Sequence, residues 1–227
     1  MTDGKNVRVR AMFDRIAPRY DLANTILTAG SDKRWRRRAI EQLNPRAGER
    51  ILDVGCGTAK MLALAARRAA IVPVGVDPAK RMLAIARQTV PSASFALADG
   101  EQLPFRSASF DGAMNAFVLR NLESLPTFFA EMQRIVRPGG RVVSLEIAKP
   151  TGALYGPAHS LYFGKLVPTL GGFVSGQRSA YAYLAKSVEG FPRPRELCAL
   201  MEDIGFDVEA RPMARGAIYT YVARRER

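Results

Sequence analysis

The sequence predicts an α/β domain built on a mostly parallel sheet. One observation carries that expectation: short β-rich apolar runs alternate with longer stretches of helical periodicity. Successive strand ends carry an aspartate, which points to a ligand site at the carboxyl ends of the strands. A further observation, the lack of repeats, heptads or a low-complexity linker, makes one domain the economical reading. The chain has 227 residues, 48% of them apolar, which supports a large core without metal or disulfide help.

In chain order, residues 8–16 and 32–43 are helical candidates ahead of the first strand, within an N-terminal helical arm of residues 1–45. Residues 50–54 read as a buried strand and 60–68 as the helix after it. Residues 71–76 form the second strand and 78–88 the second helix, with Pro78 suited to the first helical position. Residues 94–98 and 110–115 are the third and fourth strands. A helix at 127–136 is stopped by Arg137-Pro138-Gly139-Gly140, and 141–147 is the fifth strand. After Lys149-Pro150 the rhythm breaks. Residues 150–190 read as a substrate cap insertion, rich in Gly, Pro and aromatic residues up to about residue 177. A helix at 195–204 and closing strands at 206–211 and 217–223 complete the domain.

Bulk numbers narrow the function classes. The formal net charge is +13, which favours anionic partners without choosing among nucleic acid, phosphates and lipid headgroups. Cys56 and Cys198 make neither a disulfide framework nor a zinc cluster, so no metal is expected and the chain fits a reducing cytoplasm. No apolar run approaches the ~18 residues of a membrane span, and the N-terminus lacks the apolar segment of a secretory signal.

The chemistry concentrates at Ile51-Leu52-Asp53-Val54-Gly55-Cys56-Gly57-Thr58-Ala59. A carboxylate at a strand end is followed by two glycines and a helix. Glycine permits the tight turn and lets a ligand approach the backbone, while the helix N-terminus offers unpaired N–H donors. A dinucleotide fingerprint requires a third glycine at position 60, and that residue is Lys60. A nucleoside with an amino-acid tail wants the acid ahead of the glycines, where Asp53 sits. Asp77, about 20 residues past the loop, is placed to accept hydrogen bonds from ribose hydroxyls. Asp99-Gly100 follows the third strand, positioned for the adenine edge. Cys56 has no base nearby in sequence and is not read as a nucleophile.

These residues resemble a class I S-adenosylmethionine-dependent methyltransferase. The resemblance extends beyond the loop. Phe13-Asp14-Arg15-Ile16-Ala17-Pro18-Arg19-Tyr20-Asp21 with Asn24, the run 30–35, Leu119-Arg120-Asn121, Arg134 to Gly140 and Leu145-Glu146-Ile147-Ala148-Lys149-Pro150 are similar to the UbiE-type menaquinone/ubiquinone biosynthesis C-methyltransferases. Pro168, Gly171, Tyr181-Ala182-Tyr183-Leu184, Ser187-Val188 and Phe191-Pro192 continue the pattern. Ala59 and Val118 depart from it, each standing where many members have glycine.

The resemblance implies a seven-stranded, mostly parallel Rossmann-like methyltransferase sheet with helices on both faces and an inserted cap. It implies S-adenosyl-L-methionine as cofactor, held by Tyr20, Asp53, Gly55, Gly57, Thr58, Asp77, Pro78, Met82, Asp99, Gly100, Asn115 and Ala116, the last two through their backbone beside the methionyl group. The implied reaction is C-methylation of a prenylated quinol ring, a demethylmenaquinol or a ubiquinol precursor. Another small phenolic, sterol or natural-product acceptor is the alternative. An RNA methyltransferase is the remoter one, because Asn115-Ala116-Phe117-Val118 stands where amino-methylating enzymes carry N/D-P-P-[YF].

The resemblance implies Arg120 as the catalytic residue, its permanently charged guanidinium suited to stabilising a phenolate. His159, the only histidine, is the second candidate, able to take a proton near neutral pH. Tyr20 and Tyr162 are candidates for reaching the sulfonium or a substrate hydroxyl. Tyr155, Leu161, Tyr162, Phe163, Leu166, Val167, Leu170 and Phe173 could cover a greasy substrate or simply pack. Lys33-Arg34-Trp35-Arg36-Arg37-Arg38 is either an arc touching anionic lipid or a solvated face with Trp35 in the core. The compatible partners are thus a hydrophobic quinol, an anionic membrane surface at the inner face of the cell membrane, and a second copy in a homodimer. Nucleic acid is not expected.

Overall fold

The structure, a computed structural model, describes residues 3–148 and 167–226. The expected His159, Tyr155, Leu161, Tyr162, Phe163 and Leu166 lie outside the described residues, as does the first part of the cap.

Two helices, α1 (Asp3–Leu27) and α2 (Ser31–Leu43), precede the sheet. Then come β1 (Arg50–Val54), α3 (Lys60–Arg68), β2 (Val72–Asp77), α4 (Lys80–Thr89), β3 (Ser94–Leu97) and β4 (Phe110–Ala116). A short 3₁₀ turn (Leu119–Asn121) leads to α5 (Leu125–Ile135) and β5 (Val136–Ile147). The described part of the cap holds α6 (Val167–Ser175) and α7 (Arg178–Glu189), and α8 (Pro194–Asp203), β6 (Phe206–Met213) and β7 (Ile218–Arg225) close the chain.

The strands form one seven-stranded sheet in the order β3-β2-β1-β4-β5-β7-β6. β1 to β5 pair in parallel, and β7 runs antiparallel to both β5 and β6. Alternation along β1 sends Leu52 and Val54 to one face and Ile51 to the other. On the first face Phe128, Phe129, Met132 and Ile135 of α5 pack with Leu197 and Met201 of α8. On the second, Ala39, Ile40 and Leu43 of α2 meet Met61, Leu62 and Ala65 of α3. Helices therefore cover both faces, as a parallel sheet requires.

Three expectations need correction. Periodicity marks only residues 8–16 of α1, yet the helix runs through Pro18 to Leu27. Its faces are used differently along its length: Ile16, Ala17 and Ala23 pack with Val167, Ala180 and Tyr181, while the N-terminal turns wall a cavity. One apolar stripe never develops. Pro78 is not the first helical residue either. The Asp77 carboxylate accepts the Ala79 N–H at 2.8 Å and the Asp14 carboxylate accepts the Arg81 N–H at 2.8 Å, so α4 begins at Lys80. Finally, β5 starts five residues early, directly off α5.

Pairing explains that early start. Phe110 faces Val136, but Gly112 faces Arg141, so residues 137–140 bulge out of the ladder. Gly140 is confined by its neighbours: a Cβ there would lie 2.4 Å from Val136 Cγ1 and 2.8 Å from the Arg137 carbonyl oxygen. We expect Gly140→Ala to cost about 1–3 kcal/mol through overpacking of this bulge. Urea unfolding measures it, and an unchanged midpoint would refute the steric account.

Candidate active site

A cavity of about 420 Å³ opens beyond the carboxyl ends of β1, β2, β3 and β4, where the strand order reverses. This is the place where open α/β sheets hold ligands. Tyr20, Gly55, Gly57, Asp77, Pro78, Met82, Asp99, Gly100 and Ala116 line it, all expected from the sequence. A smaller cavity of about 30 Å³ shares Tyr20, Gly55, Gly57 and Ala116 with it and adds Asp53 and Thr58. Asn115 is the exception. Its side chain is fully buried in the sheet, donating to Ser144 Oγ at 2.8 Å, and it lines neither cavity. Strand alternation turns it inward and leaves Ala116 at the edge.

The loop after β1 is held in left-handed backbone at Gly55, Gly57 and Ala59, with φ of 66°, 54° and 64°. Gly55 is doubly constrained, because a Cβ would lie 2.5 Å from Val118 Cγ2. A Cβ at Gly57 would touch nothing within 4 Å, so that face stays open to a ligand. Helix packing alone does not explain a glycine at position 59. The backbone there adopts a conformation costly for Ala59, roughly 1–2 kcal/mol.

Asp77 anchors this loop. Its carboxylate accepts the Gly57 N–H at 2.8 Å as well as that of Ala79. Those bonds use two of about four acceptor sites, leaving capacity for two hydroxyls. Burial pushes its carboxyl up to about 6, against the pull of the two amides. Asp53 is only 1% exposed, and its Oδ2 has no hydrogen-bond partner. Burial raises its carboxyl to about 7, while the nearby Arg36 guanidinium opposes the rise. Asp99 is fixed by the Glu101 N–H at 2.9 Å and by Asn6 Nδ2 of α1 at 3.1 Å. Burial, with Asp53 and Asp77 beside it, pushes the Cys56 thiol well up, so it stays an unreactive thiol.

The N-terminal signature acquires a physical meaning here. Asp14 serves α4, as described. Asp21 pairs with Lys60 Nζ at 3.2 Å and accepts from Thr58 Oγ1 at 3.0 Å, fastening α1 to the start of α3. Between them Tyr20 stands against Phe13 edge to face at 5.9 Å, and both rings reach the main cavity.

Arg120 sits in the 3₁₀ turn after β4, its side chain only 5% exposed, and its guanidinium is ion-paired with the fully buried Glu146. Glu146 also accepts the Ile147 N–H at 2.9 Å. Arg120 lines neither cavity described here, although its neighbours Val118 and Asn121 do, and its Nε has no hydrogen-bond partner. His159 and Tyr162 lie outside the described residues. Sequence reasoning missed Arg36, Phe117 and Glu146. A carboxylate embedded in the apolar run of β5 is a readable signal, because a buried charge needs a partner.

In the arm, Lys33, Arg34, Arg37 and Arg38 are exposed, while Arg36 is buried and Trp35 packs against the core. The five cations therefore do not share one surface. In the cap, Val167 is buried, whereas Leu170 and Phe173 are 39% and 88% exposed. Gly171 lets α6 approach α7, since a Cβ would lie 2.3 Å from Tyr181 Cδ1. The two cavities are not lined by α6 or α7.

Solved structures share this architecture. The cyclase SpnF aligns with a TM-score of 0.71 at 17% identity, over 96% of this chain and 95% of that one. Phosphoethanolamine N-methyltransferase 2 of Haemonchus contortus, solved with S-adenosyl-L-methionine, aligns with a TM-score of 0.62 at 16% identity. That match covers 85% of this chain, which spans about half (52%) of that protein's chain. Both show the fold. Relatives in sequence are nearer. A demethylmenaquinone methyltransferase of Thermus thermophilus is 41% identical over 219 residues, covering 94% of this chain and 100% of that protein. A ubiquinone/menaquinone biosynthesis C-methyltransferase, UbiE, of Geobacter sulfurreducens is 39% identical, covering 95% of this chain and 88% of that protein. The family model of the ubiE/COQ5 methyltransferases matches residues 1–225, and the chain belongs to that family.

Proposed function

We propose that this protein transfers a methyl group from S-adenosylmethionine to a ring carbon of a prenylated quinol. The observation that carries the reading is the convergence of Asp77 and Asp99 on one cavity behind a glycine loop, with Asp53 on the smaller cavity that shares this loop, in a chain of this family. The site fits the cofactor: Asp77 keeps two acceptor sites for ribose hydroxyls, Asp53 has a free buried oxygen, and Gly57 leaves its face open. When bound, S-adenosylmethionine supplies an electrophilic methyl carbon on a sulfonium.

The chain's own residues supply position, dryness and charge. Asp77 orients the sugar and Asp99-Gly100 meet the base. The N-terminal turns of α1, pinned by the Asn6–Asp99 bond, wall the cavity and exclude water. Alignment of this kind contributes on the order of 7–11 kcal/mol at best. A quinol carbon becomes nucleophilic when its neighbouring hydroxyl loses a proton, and the role of stabilising that phenolate falls to Arg120, in the turn whose Val118 and Asn121 line the cavity. Glu146 fixes the guanidinium in place for that task.

The acceptor's tail calls for access from a bilayer. The supporting surface is Leu22, Ile26 and Phe173, which are 57%, 45% and 88% exposed, together with the exposed cations of α2. With Trp35 turned inward, α2 attracts lipid by charge, at about 1 kcal/mol per residue near an anionic surface.

Three tests follow. Asp77→Ala should weaken S-adenosylhomocysteine binding at least ~100-fold by calorimetry, two charge-assisted bonds being lost. In the wild type, that affinity should rise by about tenfold between pH 5 and pH 8 through Asp77, because its acceptor form appears only above its raised value. Unchanged affinity in the variant, or none of the pH dependence, would refute the assignment. In an assay with labelled S-adenosylmethionine and demethylmenaquinol, Arg120→Ala should lower kcat at least ~100-fold while leaving S-adenosylhomocysteine affinity intact. Methylation of other phenols but no quinol would instead favour the alternative acceptors. Flotation with liposomes should show binding to anionic vesicles and not to neutral ones, and no binding to either would discard the membrane contact.

A further inference from the structure

Two phenols flank the buried Arg120–Glu146 pair, and neither has a role in the site described so far. Tyr221 of β7 stands near the carboxylate. It is 0% exposed, packs among the apolar side chains of α5 and α8, and its hydroxyl has no hydrogen-bond partner among the described residues. Burial, with the Glu146 carboxylate adding to it, pushes its phenol well up. Tyr183 stands near the guanidinium, on α7, the cap helix that packs against the 3₁₀ turn carrying Arg120. Its hydroxyl oxygen is buried and also without a partner among the described residues. Burial raises its phenol, and the Arg120 guanidinium opposes that rise without reversing it.

The unpaired atoms on the Arg120 side are both donors. Arg120 commits one guanidinium N–H to Glu146, and its backbone N–H reaches the same carboxylate at 3.4 Å. Its Nε–H keeps no acceptor among the described residues, and a guanidinium has donors only. A phenol held above its ordinary value stays protonated at neutral pH, so Tyr183 offers an O–H and is no base there. The two do not satisfy each other, since no hydrogen bond joins the phenol oxygen to the guanidinium. Nor does the guanidinium swing freely. Glu146 holds one end, and its carbon lies 5.8 Å from the centroid of the Phe117 ring. Phe117 is itself fixed in left-handed backbone, φ 63°, and such strain in a bulky residue persists only where the surroundings impose it. Buried donors cost free energy unless bonded. One negatively charged oxygen with several lone pairs satisfies a guanidinium and a phenol together.

We infer that Tyr183 is a second oxyanion donor of the reaction, its O–H and the Arg120 guanidinium sharing the phenolate oxygen of the acceptor. The inference rests on the methyl transfer proposed above and adds a catalytic residue to it. Tyr183 keeps its proton throughout and gives a hydrogen bond only. Because one donor comes from the turn after β4 and the other from the cap, the oxyanion site is complete only where α7 rests on that turn. Tyr221, enclosed by the core behind Glu146, takes no part.

Tyr183→Phe, assayed in single turnovers with labelled S-adenosylmethionine and demethylmenaquinol, tests the assignment. The rate should fall about 100-fold, the loss of one oxyanion donor. Affinity for S-adenosylhomocysteine should stay the same by calorimetry. The urea unfolding midpoint should hold or rise, since the hydroxyl removed has no partner in the fold. A demethylmenaquinol fluorinated on its benzo ring gives a less basic phenolate, so the same substitution should slow its methylation by a smaller factor. Tyr221→Phe, which removes the hydroxyl on the Glu146 side, should leave the rate nearly unchanged. A wild-type rate in Tyr183→Phe, an equal factor for both quinols, a lowered midpoint, or the same loss in Tyr221→Phe overturns the donor role while the methyl-transfer reading stands. No methylation of demethylmenaquinol by wild type overturns that reading and the donor role together.

Discussion

The Asp77 carboxylate holds two backbone amides from adjacent strand exits, Gly57 of the loop after β1 and Ala79 ahead of α4. Everything else at the site depends on this bridge. It sets how far apart two neighbouring strand exits stand, and it stabilises the left-handed turn that bares the Gly57 backbone. Burial raises the cost of keeping the carboxylate charged, and the two amides repay part of it. The same group that shapes the loop retains acceptor capacity toward the cavity, so scaffold and recognition share one side chain.

Buried charge recurs around the site. Arg120 and Glu146 form a pair with almost no solvent contact, and Arg36, Asp32 and Asp53 lie nearby with unsatisfied atoms. Such groups contribute little net stability, because desolvation offsets most of their attraction. What they confer is orientation, each guanidinium being fixed against Phe117, at 5.1 Å for Arg36 and 5.8 Å for Arg120. A strained aromatic between two arginines ties the cofactor end of the site to the turn that carries the expected catalytic group.

Legibility varied with the range of the interactions concerned. Strands β1 to β4 and helix α3 could be read within a residue or two, because their apolar runs face both layers and their turns carry Gly or Asp. The start of α4 and the extent of α1 could not, since side chains from elsewhere in the chain serve their backbone and bury their faces. At the site, Asp53, Asp77 and Asp99 were legible from position relative to strand ends. Arg36 was not. Within a run of six residues containing five cations, nothing local distinguishes the one that turns inward.

The sequence by itself determined the α/β class, the glycine loop, the acidic strand exits and the resemblance that the family match bears out. These are properties of short segments, where steric and periodic rules act on neighbouring residues. Only the tertiary structure decided that α1 walls the cavity, that Asn115 turns into the sheet while Ala116 faces the ligand space, and that Arg120 is committed to Glu146. The physical reason is burial: which charge loses its water, and which partner compensates it, depends on elements that pack together only once the sheet has formed.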